Sequence, residues 1–201
     1  MITIAQWAIW LVCAYLIGSI PFGLLIAKTK GVDIRKEGSG NIGATNVWRI
    51  LGWKYGLPVF ILDALKSAGP AALALQITRN QDVAFSLGLA AIAGHMLSPF
   101  LGFKGGKGVA TGFGALLGAI PIIAGICIGI FAVFFAITGF VSLSSIVACA
   151  ALMALVFIFP TTIFIKSACI AMAAFIIIKH KENIKRLLNG TESKFRRTPK
   201  T

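Results

Sequence analysis

Acidic side chains are scarce: six Asp and Glu stand against nineteen Lys and Arg in 201 residues. No carboxylate cluster that could hold a metal can be assembled from them, so neither a metal nor another cofactor is expected. Cysteine is sparse as well. Cys13, Cys127, Cys149 and Cys169 lie far apart in apolar segments with no C-x-x-C pair, which excludes a disulfide framework or zinc site and leaves small buried thiols. No G-x-S-x-G elbow is present. The N-terminus lacks a basic leader and a small-residue cleavage site, so the first apolar stretch is expected to be a retained span.

What fills the chain instead is apolar: 58% of residues are hydrophobic and 12% charged, with a mean hydropathy of +0.91. That composition predicts an all-α, polytopic integral membrane protein, a single membrane-embedded domain over 1–201 with a basic, mobile tail at 191–201. The net charge of +13 is concentrated in three places: Lys28 to Lys54, Lys104 with Lys107, and Lys179 to Lys200. The positive-inside rule puts all three on the cytoplasmic side. Charge beside spans reads as topology and attraction to anionic lipid, so membrane lipids are expected partners and nucleic acid is not.

Spans are expected over 4–27, 56–77 and 83–101. Gly18, Ser19, Pro21 and Gly23 distort the cytoplasmic end of the first. From Val109 to Ile178 the sequence is almost continuously apolar, broken at Ala119–Pro121, Thr138–Ser145 and Pro160–Thr162. Four helices fit those breaks, with two long tilted ones the alternative. Seven spans in all, some short, place the N-terminus outside and the C-terminus in the cytoplasm. The last helix continues through Lys179–Leu188 and ends near Gly190.

The polar interruptions carry the chemistry. Gly38 to Arg49 holds three glycines, two asparagines, a serine, a threonine and an arginine. Such a run cannot face lipid, and glycine-rich backbone beside a planar cation suits phosphate. Gly38-Ser39-Gly40-Asn41-Ile42-Gly43 formally fits a dinucleotide fingerprint, but no strand–helix–strand unit can be built between two spans. Gly106-Lys107 fails as a Walker A loop, because Gly108 stands where Ser or Thr belongs. Lys104 and Lys107 among glycines still make an anion site, on the same membrane face as the first loop. His180 and Asn183 share a helix face at that mouth. Asp63 and Lys66, three apart inside a span, read as a buried ion pair. His95 lies about two turns from the Lys104 loop and reads first as a packing or hydrogen-bonding residue.

These motifs, in order and over the whole chain, resemble one family. Gly18-Ser19-Ile20-Pro21-Phe22-Gly23, the run Gly38 to Arg49, Gly94-His95 with Ser98 to Thr111, and His180, Asn183-Ile184, Arg186-Leu187, Gly190 and Glu192 are similar to the bacterial acyl-phosphate:glycerol-3-phosphate acyltransferases known as PlsY. One departure is Lys179, where the family often has arginine. The H-x-x-x-x-D signature of other glycerolipid acyltransferases is absent at both histidines.

The resemblance implies transfer of a fatty acyl group from acyl phosphate to the 1-position of sn-glycerol 3-phosphate, giving lysophosphatidate and inorganic phosphate, the first acylation of phospholipid synthesis. It implies a bacterial inner-membrane enzyme with its site on the cytoplasmic side, no cofactor, and a functional link to the enzyme that makes acyl phosphate. Ser39, Arg49, Lys107, His180 and Asn183 are the expected catalytic residues. Gly38, Gly40, Asn41, Gly43, Thr45, Asn46, Lys104, Gly105 and Gly106 are expected to bind substrate. Arg49, Lys104, Lys107 and the backbone of 39–43 and 105–106 would take the two phosphates; Asn46, His180 and Asn183 would orient the acceptor. Either His180 or the donor's own phosphate would accept the proton, and Ser39 as an acyl-enzyme nucleophile is the further option. The competing class, a transporter or channel for a phosphorylated metabolite, needs polar residues lining a path, and the later spans are almost wholly apolar.

Overall fold

The computed structural model describes residues 3–195. These form ten α-helices and two short 3-10 turns, with no strand among the described residues. In chain order the helices are α1 (Ile4–Ser19), α2 (Phe22–Lys28), α3 (Ala44–Leu51), α4 (Trp53–Thr78), α5 (Gln81–Met96), α6 (Val109–Ala119), α7 (Pro121–Thr138), α8 (Val141–Ile158), α9 (Ile163–Lys179) and α10 (Lys181–Leu188). By length and composition five segments can cross a bilayer, the broken α1–α2 among them, and a sixth if α9 and α10, bent by 56°, count as one. Helix α6, with eleven residues, falls short of the ~20 that span a hydrocarbon core. The four-helix reading of 109–178 is the one adopted.

The chain forms two compact units, 1–122 and 123–201. In the first, α4 packs on α5 and α6, and α1 packs on α5. Without a hydrophobic force between helices in lipid, close approach depends on small residues. A Cβ on Gly18 would collide with the Ala91 backbone, one on Gly94 with the Tyr15 carbonyl, and one on Gly114 with the Ala64 carbonyl. Side chains then bridge helix ends: Tyr15 Oη donates to Leu97 O at 2.7 Å, and Ser98 Oγ to Ser19 O at 2.7 Å. Apolar residues such as Leu65, Leu73 and Ile122 are more than half exposed, as a lipid-facing surface requires.

In the second unit α8 packs on α9, and α10 folds back onto both. Thr191–Phe195, placed in the mobile tail by the sequence, are tied down: Phe195 N donates to Gly139 O at 2.8 Å and the Phe195 ring meets Phe135 edge-on at 5.7 Å. Residues 196–201 of that tail lie outside the described residues.

The first span breaks where expected, with α1 ending at Ser19 and α2 starting at Phe22 after Pro21. The polar run departs from expectation. Its second half is helical, because Ala44–Leu51 has an apolar side: Val47 is fully buried in a cluster with Leu24, Ala27, Ile34, Ile42 and Val59. Gly43 caps one end and Gly52, at φ 89°, turns the other directly into α4. The packing of α3 on α4 is so close that a Cβ on Gly56 would enter the Trp48 side chain.

Candidate active site

Asn46 organises the serine loop. The residue is 2% exposed. Its Oδ1 accepts from Ser39 N at 3.0 Å, and its Nδ2 faces the carbonyls of Ile34, Glu37 and Asn41 at 3.3, 2.9 and 3.0 Å. Both amide protons are thereby spent on loop backbone, so this side chain shapes the loop and has no donor left for the acceptor substrate. Gly38, at φ 57°, leaves room for Asn46 Oδ1 where a Cβ would collide. Removing the clamp strands the part-buried Ser39 N–H and Asn41 carbonyl at up to about 1–3 kcal/mol each, while the Ile34 and Glu37 carbonyls keep the N–H groups of Glu37 and Gly40. Asn46→Ala is therefore expected to speed proteolytic cutting within 37–43 and to lower activity about tenfold or more. Limited proteolysis beside an activity assay checks it.

The same network engages three of the N–H groups expected to cradle phosphate. Ser39 N–H goes to Asn46, Gly40 N–H to Glu37 O at 2.9 Å, and Gly43 N–H to Asn41 Oδ1 at 2.7 Å. Side chains remain. Ser39 is exposed, Thr45 is half-buried on the first turn of α3, and Arg49 is exposed on its last turn. Arg35 is committed elsewhere: its guanidinium binds Asp33 through two bonds of 2.8 and 2.7 Å. Those bonds hold the Asp33 carboxyl at about 2. Arg49 makes no such pair among the described residues.

The lysine loop follows the same rule. Gly105 N donates to Met96 O and Gly106 N to His95 O, each at 3.1 Å. The two N–H groups assigned to phosphate are thus taken by the end of α5. Their glycines are required for contact: a Cβ on Gly105 would collide with the His95 carbonyl, and one on Gly106 with the His95 ring. Lys104 is exposed and Lys107 half-buried. Phe103 holds left-handed backbone at φ 63°, a turn that costs a residue other than glycine roughly 1–3 kcal/mol and recurs at functional loops.

In the second unit His180 sits at the bend, ending α9 and starting α10. It is 3% exposed, and its Nδ1 lies 2.8 Å from Ile176 O. A carbonyl only accepts, so Nδ1 carries the proton and Nε2 is the basic nitrogen of the neutral ring. Asn183, also buried, donates from Nδ2 to Glu192 Oε1 at 2.6 Å. Glu192 further accepts from Ser142 Oγ at 2.6 Å and Arg186 Nε at 2.7 Å. Asn183, Arg186 and Glu192 stand together in the closing motif of the sequence, but the part of Ser142, in an apolar run far from them, was missed. Burial pushes the Glu192 carboxyl up, but the three donors outweigh it and hold it below the ordinary carboxylate value of 4.5. Its stabilisation is therefore complete above that value and is lost as pH falls through the lower, folded one. Glu192→Gln should flatten the acid side of the stability–pH curve below about pH 4.5, read by thermal unfolding.

Among the described residues no group of His, Cys, Asp and Glu could hold a metal ion. What these loops offer is cation and hydroxyl chemistry beside a membrane-embedded core. A family model described as glycerol-3-phosphate acyltransferase matches residues 8–190. The chain belongs to that family. A glycerol-3-phosphate acyltransferase of Trichlorobacter lovleyi is 44% identical over 187 residues, covering 93% of this chain and 96% of that one. The Aquifex aeolicus protein of the same description is 45% identical, covering 90% and 95%. A crystal structure of PlsY, an integral membrane glycerol 3-phosphate acyltransferase in its glycerol 3-phosphate form, superposes with a TM-score of 0.91 at 44% identity, over 95% of this chain and 96% of that one. Its lysophosphatidic acid form gives 0.87 at 43%, over 94% and 95%. This family member is accordingly an all-α, multi-pass membrane protein and an acyltransferase enzyme.

Proposed function

We propose that the chain moves a fatty acyl group from acyl phosphate to the 1-position of sn-glycerol 3-phosphate, releasing inorganic phosphate and leaving lysophosphatidate. The observation that carries this reading is the whole-chain likeness to a solved acyltransferase whose described forms hold the acceptor in one case and lysophosphatidic acid in the other. The donor follows from the resemblance to the acyl-phosphate enzymes and from chemistry. Acyl phosphate is already activated, so an enzyme need only bring a hydroxyl to the acyl carbon and stabilise the charge that develops. The acceptor oxygen bonds to that carbon, the bond to phosphate oxygen breaks with its electron pair, and the hydroxyl proton goes to a base.

Lys104, Lys107 and Arg49 hold the two phosphates, with Ser39 and Thr45 as hydroxyl donors. Gly38, Gly40, Asn41, Gly43 and Asn46 shape one loop, and Gly105 and Gly106 the other. His180 and Asn183 orient glycerol 3-phosphate. Among the described residues of its own unit Ser39 Oγ makes no hydrogen bond to a histidine or carboxylate, which favours direct transfer over an acyl-enzyme. The Nδ1–H tautomer of His180 supports its Nε2 as the base. If so, His180→Gln should lose kcat by about two orders of magnitude with a modest change in KM. Survival of most of kcat with a raised KM would assign the proton to the departing phosphate. Supplying palmitoyl phosphate or palmitoyl-CoA with labelled glycerol 3-phosphate tests the donor: lysophosphatidate formed from the thioester alone would overturn it.

The family model and both relatives run through the two units, which supports one acyltransferase domain. The three basic stretches support an odd number of crossings, seven if the short α6 counts as one, with the N-terminus outside, the C-terminus inside and the site on the cytoplasmic face of a bacterial inner membrane. A transporter is disfavoured by the family and by α7 and α8, which contain no charged residue.

A further inference from the structure

The lysine loop rests on a buried polar cluster. His95 carbonyl would ordinarily receive the N–H four residues on, but that residue is Pro99, which has none. The vacant acceptor is filled by Gly106 N–H at 3.1 Å, and the next carbonyl, of Met96, by Gly105 N–H at 3.1 Å. The His95 ring occupies the space a Gly106 side chain would need. The ring is itself anchored, since its Nδ1 lies 2.9 Å from Lys66 Nζ. An ammonium only donates, so Nδ1 accepts and Nε2 carries the proton, on the edge toward Gly106.

Lys66 has three close partners, two hydrogen-bond acceptors and one opposite charge. They are His95 Nδ1, the Ile20 carbonyl at 2.9 Å, left by the break between α1 and α2, and Asp63 Oδ1 at 2.7 Å. Asp63 and Lys66 are 2% and 5% exposed, and His95 5%.

We propose that His95, clamped by the Asp63–Lys66 pair, is a positioning residue for the lysine loop: its carbonyl and ring set where Gly105 and Gly106 lie, and hence where Lys107 meets phosphate. This rests on the reading that Lys107 holds a substrate phosphate. His95→Leu keeps the ion pair and removes the acceptor for Lys66.

In full-length protein in detergent, deuterium uptake at 103–108 should rise about tenfold in rate while uptake in α8 is unchanged. KM for a phosphate-bearing substrate should rise about tenfold, with kcat within about threefold. His95→Asn, whose Oδ1 can take the Lys66 proton, should restore most of that KM. Native uptake at the loop in a folded His95→Leu protein, or a loss confined to kcat, would overturn the proposal.

Should His95→Leu not fold, a cycle of His95→Asn with Gly106→Ala decides. The smaller side chain must relieve the alanine clash, so the two penalties are less than additive; additive penalties contradict the proposal. Deuterium uptake does not depend on turnover. A wild type with a protected loop and no lysophosphatidate would therefore count against the acyltransferase donor or acceptor, and not against the positioning of the loop by His95.

Discussion

Lys107→Ala is expected to lower kcat/KM for acyl transfer by roughly 100- to 1000-fold, the loss that follows removal of one well-aimed donor to developing charge, about 2.7–4 kcal/mol. The size of the effect follows from where the residue stands. It comes directly after two glycines whose N–H groups are fixed to the end of α5, so no backbone donor of Gly105 or Gly106 can replace it. Lys107→Arg keeps the charge on a longer, planar head and should fall between wild type and alanine. Lys104, exposed on the same loop, should be the less sensitive of the two. Steady-state kinetics on both substrates, with thermal unfolding to confirm folding, checks the series. An alanine variant within about threefold of wild type would remove Lys107 from the site.

Asp63→Leu should have the largest effect on stability, about 3–5 kcal/mol, because it strands the buried Lys66 ammonium. The carboxylate supplies the only charge opposing that cation at 2.7 Å among the described residues, and the contact is ionic, with Asp63 Oδ1 lacking an aligned hydrogen bond. Converting the pair to Asp63→Leu with Lys66→Met should recover most of the loss, since replacing both ions by apolar groups avoids the unpaired charge. What the double variant does not recover is the bond to Ile20 O and the anchor on His95. Its activity should therefore stay low while its unfolding temperature approaches wild type. A single variant as stable as the double would show that the ion pair does not matter.

The parts of the molecule legible in the sequence were those set by local pattern. Helix ends at Pro21, Ala119–Pro121 and Pro160–Thr162 follow from proline and glycine, which punctuate backbone wherever they fall. The Asp63–Lys66 pair was legible because residues three apart on a helix share a face. What was not legible depends on neighbours distant in sequence. Nothing local says that His95 meets Lys66, 29 residues away, or that Ser142 and Asn183 both meet Glu192.

The glycines also serve the loops' own architecture. Their density suggested a cradle of backbone N–H groups for phosphate. In the structure the N–H groups of Ser39, Gly40, Gly43, Gly105 and Gly106 close the loops on themselves or on α5, while the side chains of Ser39, Arg49 and Lys104 are exposed. Helix α3 was hidden for a related reason: its polar residues dominate composition, while burial of Val47 and Asn46 decides conformation.

The central claim is that acyl phosphate donates directly to glycerol 3-phosphate. The most direct test is phosphate release from palmitoyl phosphate by purified protein, with and without sn-glycerol 3-phosphate. Release should require the acceptor, with one lysophosphatidate formed for each phosphate freed, and both should be lost in Lys107→Ala. Release of phosphate at the same rate without acceptor, or folded protein that yields no lysophosphatidate from acyl phosphate, would contradict it.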